Sequence, residues 1–120
     1  PTAVRKTITE LRAKAEGKVF VAFHPHLFSR TRDLLNDFAT AFAGADRVLI
    51  APIFAAREID DGSVSSAMLA DLIREHGVSA EAMSLEEIEK VLTDEPKEND
   101  LIMTMGAGNI YKIADAIVKH

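Results

Sequence analysis

The 120-residue sequence contains no cysteine, which excludes disulfide bonds and thiolate metal sites. It also lacks any apolar run close to the roughly 20 residues that a membrane-spanning helix needs. The N-terminal segment does not show the basic, apolar and small-residue order of a signal peptide. From these features we expect a protein of a reducing, cytoplasmic setting with no membrane partner.

An excess of basic residues is missing as well. The chain has 14 Lys and Arg residues against 19 Asp and Glu residues, for a formal net charge of −5. A non-specific nucleic-acid binder normally carries a basic face, so we expect no nucleic-acid partner. Hydrophobic residues make up 48% of the chain and charged residues 28%, which is typical of a folded globular domain rather than a disordered segment.

Two ligand-binding patterns are absent or incomplete. No G-x-x-x-x-G-K-[ST] phosphate loop occurs, so the chain does not bind nucleotide phosphates in that way. His24 and His26 form an H-x-H pair, but no third ligand lies near them in sequence. We therefore expect no metal site, and a hydrogen-bonded loop position for each of these histidines.

Helical and strand patterns alternate along the chain. Apolar residues at three- and four-residue spacing predict helices over residues 1–17, 30–45, 65–77, 84–95 and 110–120. Apolar runs predict strands over residues 18–23, 47–54 and 101–105, and the less apolar segment 79–83 is also predicted as a strand. Ser65 or Ser66 is the expected cap of the third helix, and Ser84 with Glu87 forms a capping box at the fourth.

This alternation indicates βαβ units with right-handed crossovers. We predict an α/β fold: one three-layer, Rossmann-like domain spanning residues 1–120, with a mainly parallel sheet flanked by helices. Ligands bind such sheets at the carboxyl ends of the strands, in the loops that lead to the next helices. Three of these loops carry unusual residues, and they read HPHLFSRT, IFAARE and MGAGN.

The loop HPHLFSRT brings Arg30 and Arg32 to the start of a helix, where the macrodipole disfavours cations. An anionic ligand would relieve that cost, because guanidinium binds carboxylate or phosphate bidentately. We predict that Arg30 binds such an anion and that Arg32 pairs with nearby acids on a solvated helix. Ser29 or Thr31 is the expected cap of this helix.

The other two loops each leave two interpretations open. Gly106 and Gly108 would let the backbone of MGAGN approach a ligand, but they equally fit a strand-to-helix turn without one. In IFAARE, Arg57 either forms a surface ion pair with Glu58 or contacts a ligand or another domain, and Glu58 itself is expected to be solvated.

Segments spread over the whole chain follow the pattern of a known family. They read PT, PHLFSRTRDLLNDF, ADRVLIAPIFAARE, GSVSS and MGAGNI, in that order. With these segments the chain resembles the C-terminal domain of the bacterial Mur ligases, and PHLFSRT and MGAGNI are similar to the branch that adds L-alanine. The resemblance implies that residues 1–120 are the third domain of a three-domain enzyme, separated here from the other two.

The resemblance implies an ATP-dependent carboxylate–amine ligase of peptidoglycan precursor synthesis. An N-terminal domain would bind the UDP sugar, a central ATPase domain would bind ATP and Mg²⁺, and this domain would bring the amino acid. The muramoyl carboxylate of UDP-N-acetylmuramate would be phosphorylated, and the amino group of L-alanine would attack the acyl phosphate. The isolated domain would bind no cofactor and would be inactive.

The resemblance also implies roles for individual residues. Arg30 would be the catalytic residue, holding the carboxylate of L-alanine and steadying negative charge near the acyl phosphate. His26, Ser29 and Thr31 would shape that pocket, and Arg57 is a candidate for a contact between domains. The opposite wall of the pocket would consist of Gly106, Ala107, Gly108 and Asn109.

The chain departs from the family pattern at four positions, two of them in the same loop. Asn109 is often aspartate in the family, and Ala3 is often glutamate. Many members have glutamine in place of His24, and several have arginine in place of Leu27, which removes one anion contact. Two alternatives to a ligase domain stay open on the sequence alone. One is a stand-alone α/β binding module for a small carboxylate or a nucleotide, and the other is a purely structural or interaction domain.

Overall fold

Strands form where apolar residues run together, and helices form where apolar residues recur at helical spacing. The computed structural model describes residues 2–60 and 62–106. Its elements in chain order are α1 (Thr2–Lys14), β1 (Val19–His24), α2 (Phe28–Asp33), α3 (Leu35–Ala41), β2 (Arg47–Ile50), α4 (Ser66–Glu75), β3 (Ala80–Ala82), α5 (Leu85–Asp94) and β4 (Leu101–Gly106). The predicted α/β alternation is confirmed as far as Gly106, and the predicted closing helix lies outside the described residues.

The four strands form one parallel sheet in the order β3-β2-β1-β4. The central strand β1 pairs with β4 from Val19 opposite Leu101 to His24 opposite Gly106. From β1 the chain proceeds outward through β2 to β3, and then returns to place β4 on the other side of β1. The direction of strand order therefore reverses between β1 and β4, which is where open α/β sheets bind their ligands.

Apolar side chains cover both faces of the sheet. On one face α1, α3 and α4 pack against the strands, and fully buried side chains of this layer include Ile8, Phe42, Leu69 and Ile73. On the other face α5 contributes Ile88 and Leu92 to a second buried cluster. Burying each such side chain stabilises the fold by about 1.5–3 kcal/mol. The predicted three layers are thereby confirmed.

The caps of the later helices agree with the sequence pattern. Ser65 caps α4 by accepting a hydrogen bond from the backbone N–H of Met68 at 3.2 Å. At α5, Ser84 and Glu87 form the predicted capping box, each accepting from the other's backbone N–H. These side chains satisfy backbone donors that have no partner within the helix.

Two predicted elements differ from the structure. The segment predicted as one helix over residues 30–45 starts earlier, at Phe28, and is interrupted at Leu34, where no glycine or proline signals a break. Strand β2 ends at Ile50 instead of residue 54, because Pro52 cannot donate a ladder hydrogen bond. Within residues 2–60 and 62–106, no helix has the length and apolar character required to traverse a bilayer.

Candidate functional site

A cleft of about 300 Å³ opens at the carboxyl ends of β1 and β4, where the strand order reverses. We call it the β1–β4 cleft. Its polar lining consists of His24, His26, Arg30 and the backbone of Gly106. Its apolar lining consists of Val4, Phe23, Leu34, Phe38 and Met105. The arrangement suits a small ligand with one apolar and one anionic part, because few polar groups fix orientation above an apolar surface.

Arg30 lies in the first turn of α2 with its side chain exposed at the cleft. Among the described residues its guanidinium has no hydrogen-bond or ion-pair partner. Arg32, two residues later, lies 3.6 Å from the carboxylate of Asp33 and donates to the hydroxyl of Ser63 at 3.3 Å. The predicted pairing of Arg32 with an acid is confirmed, and the structure places Arg30 and Gly106 at one cleft as the topology requires.

Phe54 organises the two histidines of the cleft. The ring of His26 stacks on the ring of Phe54 at 5.5 Å between centroids, and the ring of His24 meets Phe54 edge-on at 5.9 Å. His24 is the buried last residue of β1, so its predicted loop position is wrong. The ladder with β4 continues to Gly106, one residue beyond the apolar run, and thereby includes His24 in the strand.

Gly106 is required by the packing of two strands. A Cβ atom at this residue would lie 2.2 Å from the carbonyl oxygen of His24, and its φ of +114° is unfavourable for any other residue. The need for glycine at this position therefore follows from the sheet itself. Ala107, Gly108 and Asn109 lie outside the described residues, and their predicted part in the pocket stays a prediction.

Ser29 and Thr31 do not line the β1–β4 cleft. The buried hydroxyl of Thr31 donates to the carbonyl of Leu27 at 2.8 Å, and the hydroxyl of Ser29 donates to the carboxylate of Glu58. Neither residue caps α2, so that prediction is wrong: the helix begins at Phe28 and encloses both of them, leaving Leu27 at the N-cap position. Their role in binding an amino acid stays a prediction.

Glu58 is the residue near this site that the sequence reasoning missed. One of its carboxylate oxygens accepts from the backbone N–H of Ser29 at 3.1 Å, and the other accepts from the hydroxyl of Ser29. The side-chain and backbone hydrogen bonds from Ser29 lower the pKa of Glu58, with smaller contributions from the backbone of Phe28 and the charge of Arg32. Glu58 is thus bound to α2, and the expectation that it is merely solvated is wrong.

Arg57 lies in a separate cleft of about 360 Å³, together with Ser29, Arg32, Glu58 and other residues of the same two loops. It is exposed beside Ala56, which has a positive φ of 53°. Within the described part of the chain, Arg57 forms no ion pair with Glu58. Its predicted contact with another domain stays a prediction.

A larger cleft of about 390 Å³ opens at the ends of β2 and β3. Its walls include Phe28, Pro52, Ile53 and Met83, and none of the predicted site residues lines it. In residues 2–60 and 62–106, no three His, Asp or Glu side chains come together in the way that a metal ion requires. The β1–β4 cleft is therefore the better candidate for ligand chemistry, since it combines a cation, an imidazole and an apolar surface.

Comparison with known proteins identifies the family of the chain. The sequence model of the family described as Mur ligase, glutamate ligase domain matches residues 1–108. The chain belongs to this family. The match includes all the residues of this Mur ligase domain that form its sheet.

Relatives of this Mur ligase domain are much longer than the domain. It is 41% identical over 120 residues to the UDP-N-acetylmuramate–L-alanine ligase of Clostridium novyi (strain NT), a match that covers 99% of this chain and 26% of the relative. It is 42% identical to the ligase of the same name from Agathobacter rectalis, with the same coverage. The chain thus spans about a quarter of the length of these curated relatives.

A solved structure shows the same fold. The UDP-N-acetylmuramate–alanine ligase of Thermotoga maritima matches with a TM-score of 0.69 and 26% sequence identity. The match covers 97% of this chain and 23% of that chain. The predicted Rossmann-like Mur ligase domain is confirmed by this likeness.

Proposed function

We propose that this domain is the amino-acid-binding part of an ATP-dependent ligase that joins L-alanine to UDP-N-acetylmuramate. The observation that carries the proposal is Arg30: its guanidinium stands at an apolar cleft at the strand-order reversal and has no partner among the described residues. The names and lengths of the relatives favour this function over a stand-alone binding module.

The β1–β4 cleft fits the two ends of a small amino acid. Arg30 binds the carboxylate through charge-assisted hydrogen bonds, and the methyl group faces the apolar surface formed by Phe23, Phe38 and Met105. His26, held flat against Phe54, borders the space beside the carboxylate. The amino group is then the part of L-alanine that points out of the cleft toward the activated substrate.

Holding the amine in this direction is the domain's contribution to catalysis. The lone pair of the neutral amine attacks the acyl-phosphate carbon and forms a C–N bond. The C–O bond to phosphate then breaks and the nitrogen loses one proton, which leaves with the phosphate or to solvent, so that the products are an amide and hydrogen phosphate. In the full-length enzyme, ATP would supply the phosphoryl group of the acyl phosphate, and Mg²⁺ would neutralise part of the phosphate charge. Arg30 also offsets the negative charge that develops on the reacting oxygens.

The remaining parts of the proposal concern the whole enzyme. The N-terminal UDP-sugar domain and the central ATPase domain of the same chain complete the active site, and Arg57 contacts one of them. A reaction that consumes ATP and a UDP sugar belongs in the cytoplasm, where it contributes to peptidoglycan synthesis and so to cell shape and division. The isolated domain is inactive.

Omission of single substrates from the full-length enzyme tests this function. Phosphate release should require ATP, UDP-N-acetylmuramate and L-alanine together, and the 120-residue domain alone should release none. Phosphate release that does not depend on L-alanine, or turnover by the isolated domain, would contradict the proposal. Mass spectrometry of the product distinguishes amide formation from simple hydrolysis of ATP.

A further inference from the structure

Helix α2, which carries Arg30, has no side-chain cap of its own. Leu27 occupies its N-cap position with φ of 68° and ψ of 134°, and the leucine side chain has no oxygen that could accept from the free N–H groups of the first turn. A positive φ is unfavourable for a leucine and persists only where the surroundings hold it. The start of α2 must therefore be held from outside the helix.

The loop that follows β2 supplies this support at two points. The backbone N–H of Leu27 donates to the carbonyl of Phe54 at 2.8 Å, and the N–H of Phe54 donates to the carbonyl of Pro25 at 2.8 Å. Four residues after Phe54, both oxygens of Glu58 accept from Ser29. Glu58 acts as a cap that comes from another segment of the chain.

Glu58 is itself held in a defined place. Its backbone N–H donates to the carbonyl of Ala55 at 2.9 Å, which closes a turn that contains Ala56 at positive φ. Its negative charge also faces the N-terminal end of α2, where the helix macrodipole favours a carboxylate. The contact between Glu58 and Ser29 therefore joins a carboxylate that is held in place by its turn to the N–H and hydroxyl donors of Ser29.

Ser29 is adjacent to Arg30 in the first turn of α2, so the orientation in which Ser29 is held also sets the direction of the Arg30 side chain. One residue of an α-helix corresponds to a rotation of about 100°, and a small change in the first turn would move the guanidinium out of the β1–β4 cleft. On the opposite side of that turn the hydroxyl of Thr31 is tied to Leu27. Glu58 completes the set of contacts that fix the rotation of α2.

We propose that Glu58 is a positioning residue for L-alanine binding: by holding Ser29 it fixes the first turn of α2 and aims Arg30 into the β1–β4 cleft. This inference rests on the proposed function and deepens it, since it names the group that sets the affinity of the amino-acid site. Glu58 touches no substrate, and acts only through Ser29 and the helix that follows.

The test uses the full-length enzyme with Glu58→Ala and Glu58→Gln. Loss of a hydrogen-bonded charge should raise the KM for L-alanine about five- to tenfold in Glu58→Ala and leave the KM for ATP unchanged. Glu58→Gln keeps an acceptor oxygen for the N–H of Ser29 and should recover much of the lost affinity. Glu75→Ala, which removes an exposed carboxylate at the end of α4, is the matched control and should leave both KM values unchanged.

A double-mutant cycle then tests the route through Ser29. Ser29→Ala should raise the KM for L-alanine less than Glu58→Ala, and the double variant should be no worse than Glu58→Ala alone. Fully additive effects would overturn the inference, because Ser29 would then act on the ligand independently of Glu58. A lowered Tm with an unchanged KM for L-alanine in Glu58→Ala would also overturn it.

The outcome for unaltered enzyme separates this inference from the proposed function. Absence of phosphate release dependent on L-alanine would contradict both. The positioning role alone would be contradicted if Arg30→Ala raises the KM for L-alanine and Glu58→Ala leaves that KM unchanged.

Discussion

Charged groups have different partners at the two edges of the sheet, where one edge is formed by the starts of the strands and the other by their carboxyl ends. At the edge where the strands begin, Asp46 accepts from the N–H of Val19 at 2.7 Å and from Arg12 at 2.6 Å. Asp100 accepts from the N–H groups of Lys18 and Lys97, both at 2.8 Å. At the edge where the strands end, Arg30 has no such partner within the described residues. Charges at the first edge join segments of the chain, whereas the second edge leaves a cation available to a ligand.

This difference separates residues that hold the fold from residues that bind. The first edge satisfies backbone donors of the strands and loops with carboxylates, and thereby stabilises the sheet. At the second edge, Glu58 and Phe54 hold the loops while Arg30 and His26 stay exposed. Substitutions at the first edge should therefore change stability, and substitutions of Arg30 or His26 should change substrate affinity.

Gly106→Ala should have the largest effect, because it disrupts the pairing of β4 with β1 at the second edge. The added Cβ would overlap the carbonyl of His24, so we expect a loss of about 3 kcal/mol or more in the free energy of unfolding. Urea denaturation of the 120-residue chain measures this loss. Gly62→Ala is the matched control: its φ is also positive, at 78°, but apart from its chain neighbours no atom of the described residues lies within 4 Å of the added Cβ.

The control variant should lose only about 1 kcal/mol, from backbone strain alone. Equal losses in the two glycine variants would show that close approach of β4 to β1 is not what requires Gly106.

Acid should weaken the contacts at the first edge. Hydrogen bonds from the backbone N–H groups of Lys97 and Lys18 lower the pKa of Asp100 below its ordinary value. A carboxyl group whose pKa is lowered on folding stabilises the fold above its unfolded pKa, and this stabilisation is lost as pH falls through its folded pKa. The contribution of Asp100 should thus be complete at neutral pH and start to decline near about pH 4.

Denaturation of the unaltered chain and of Asp100→Asn at several pH values measures this contribution. The difference in unfolding free energy should be largest at neutral pH and should shrink as the solution becomes more acidic. Glu98→Gln changes a nearby exposed carboxylate and should show a small difference at every pH. A difference for Asp100→Asn that does not vary with pH would contradict the assignment of its stabilisation to the ionised carboxylate.

Local sequence signals predicted much of the fold. Apolar runs indicated three of the four strands, and Ser65, Ser84 and Glu87 indicated helix caps that the structure contains. The parallel sheet then allowed a prediction about the site, because carboxyl ends of neighbouring strands share one edge. From this topology, Arg30 and Gly106 were predicted to lie close together although they are distant in sequence, and both line the β1–β4 cleft.

The contacts that the sequence did not reveal are those without a local pattern. Glu58 and Ser29 are 29 residues apart in sequence. No spacing rule predicts that a carboxylate in one loop will bind the first turn of a helix in a distant segment. The stacking of His26 on Phe54 depends on an isolated bridge between their two loops. Leu34 interrupts a helical pattern without glycine or proline, so the boundary between α2 and α3 was invisible before the fold was known.

The role of Arg30 in binding L-alanine is tested most directly by the KM for L-alanine in full-length enzyme that carries Arg30→Ala or Arg32→Ala. Both variants remove one positive charge from the same helix, but Arg30 faces the β1–β4 cleft, whereas Arg32 pairs with Asp33. The account predicts a rise of about 10- to 100-fold for Arg30→Ala and a change of less than about twofold for Arg32→Ala. An unchanged KM in Arg30→Ala, or an equal rise in both variants, would contradict it.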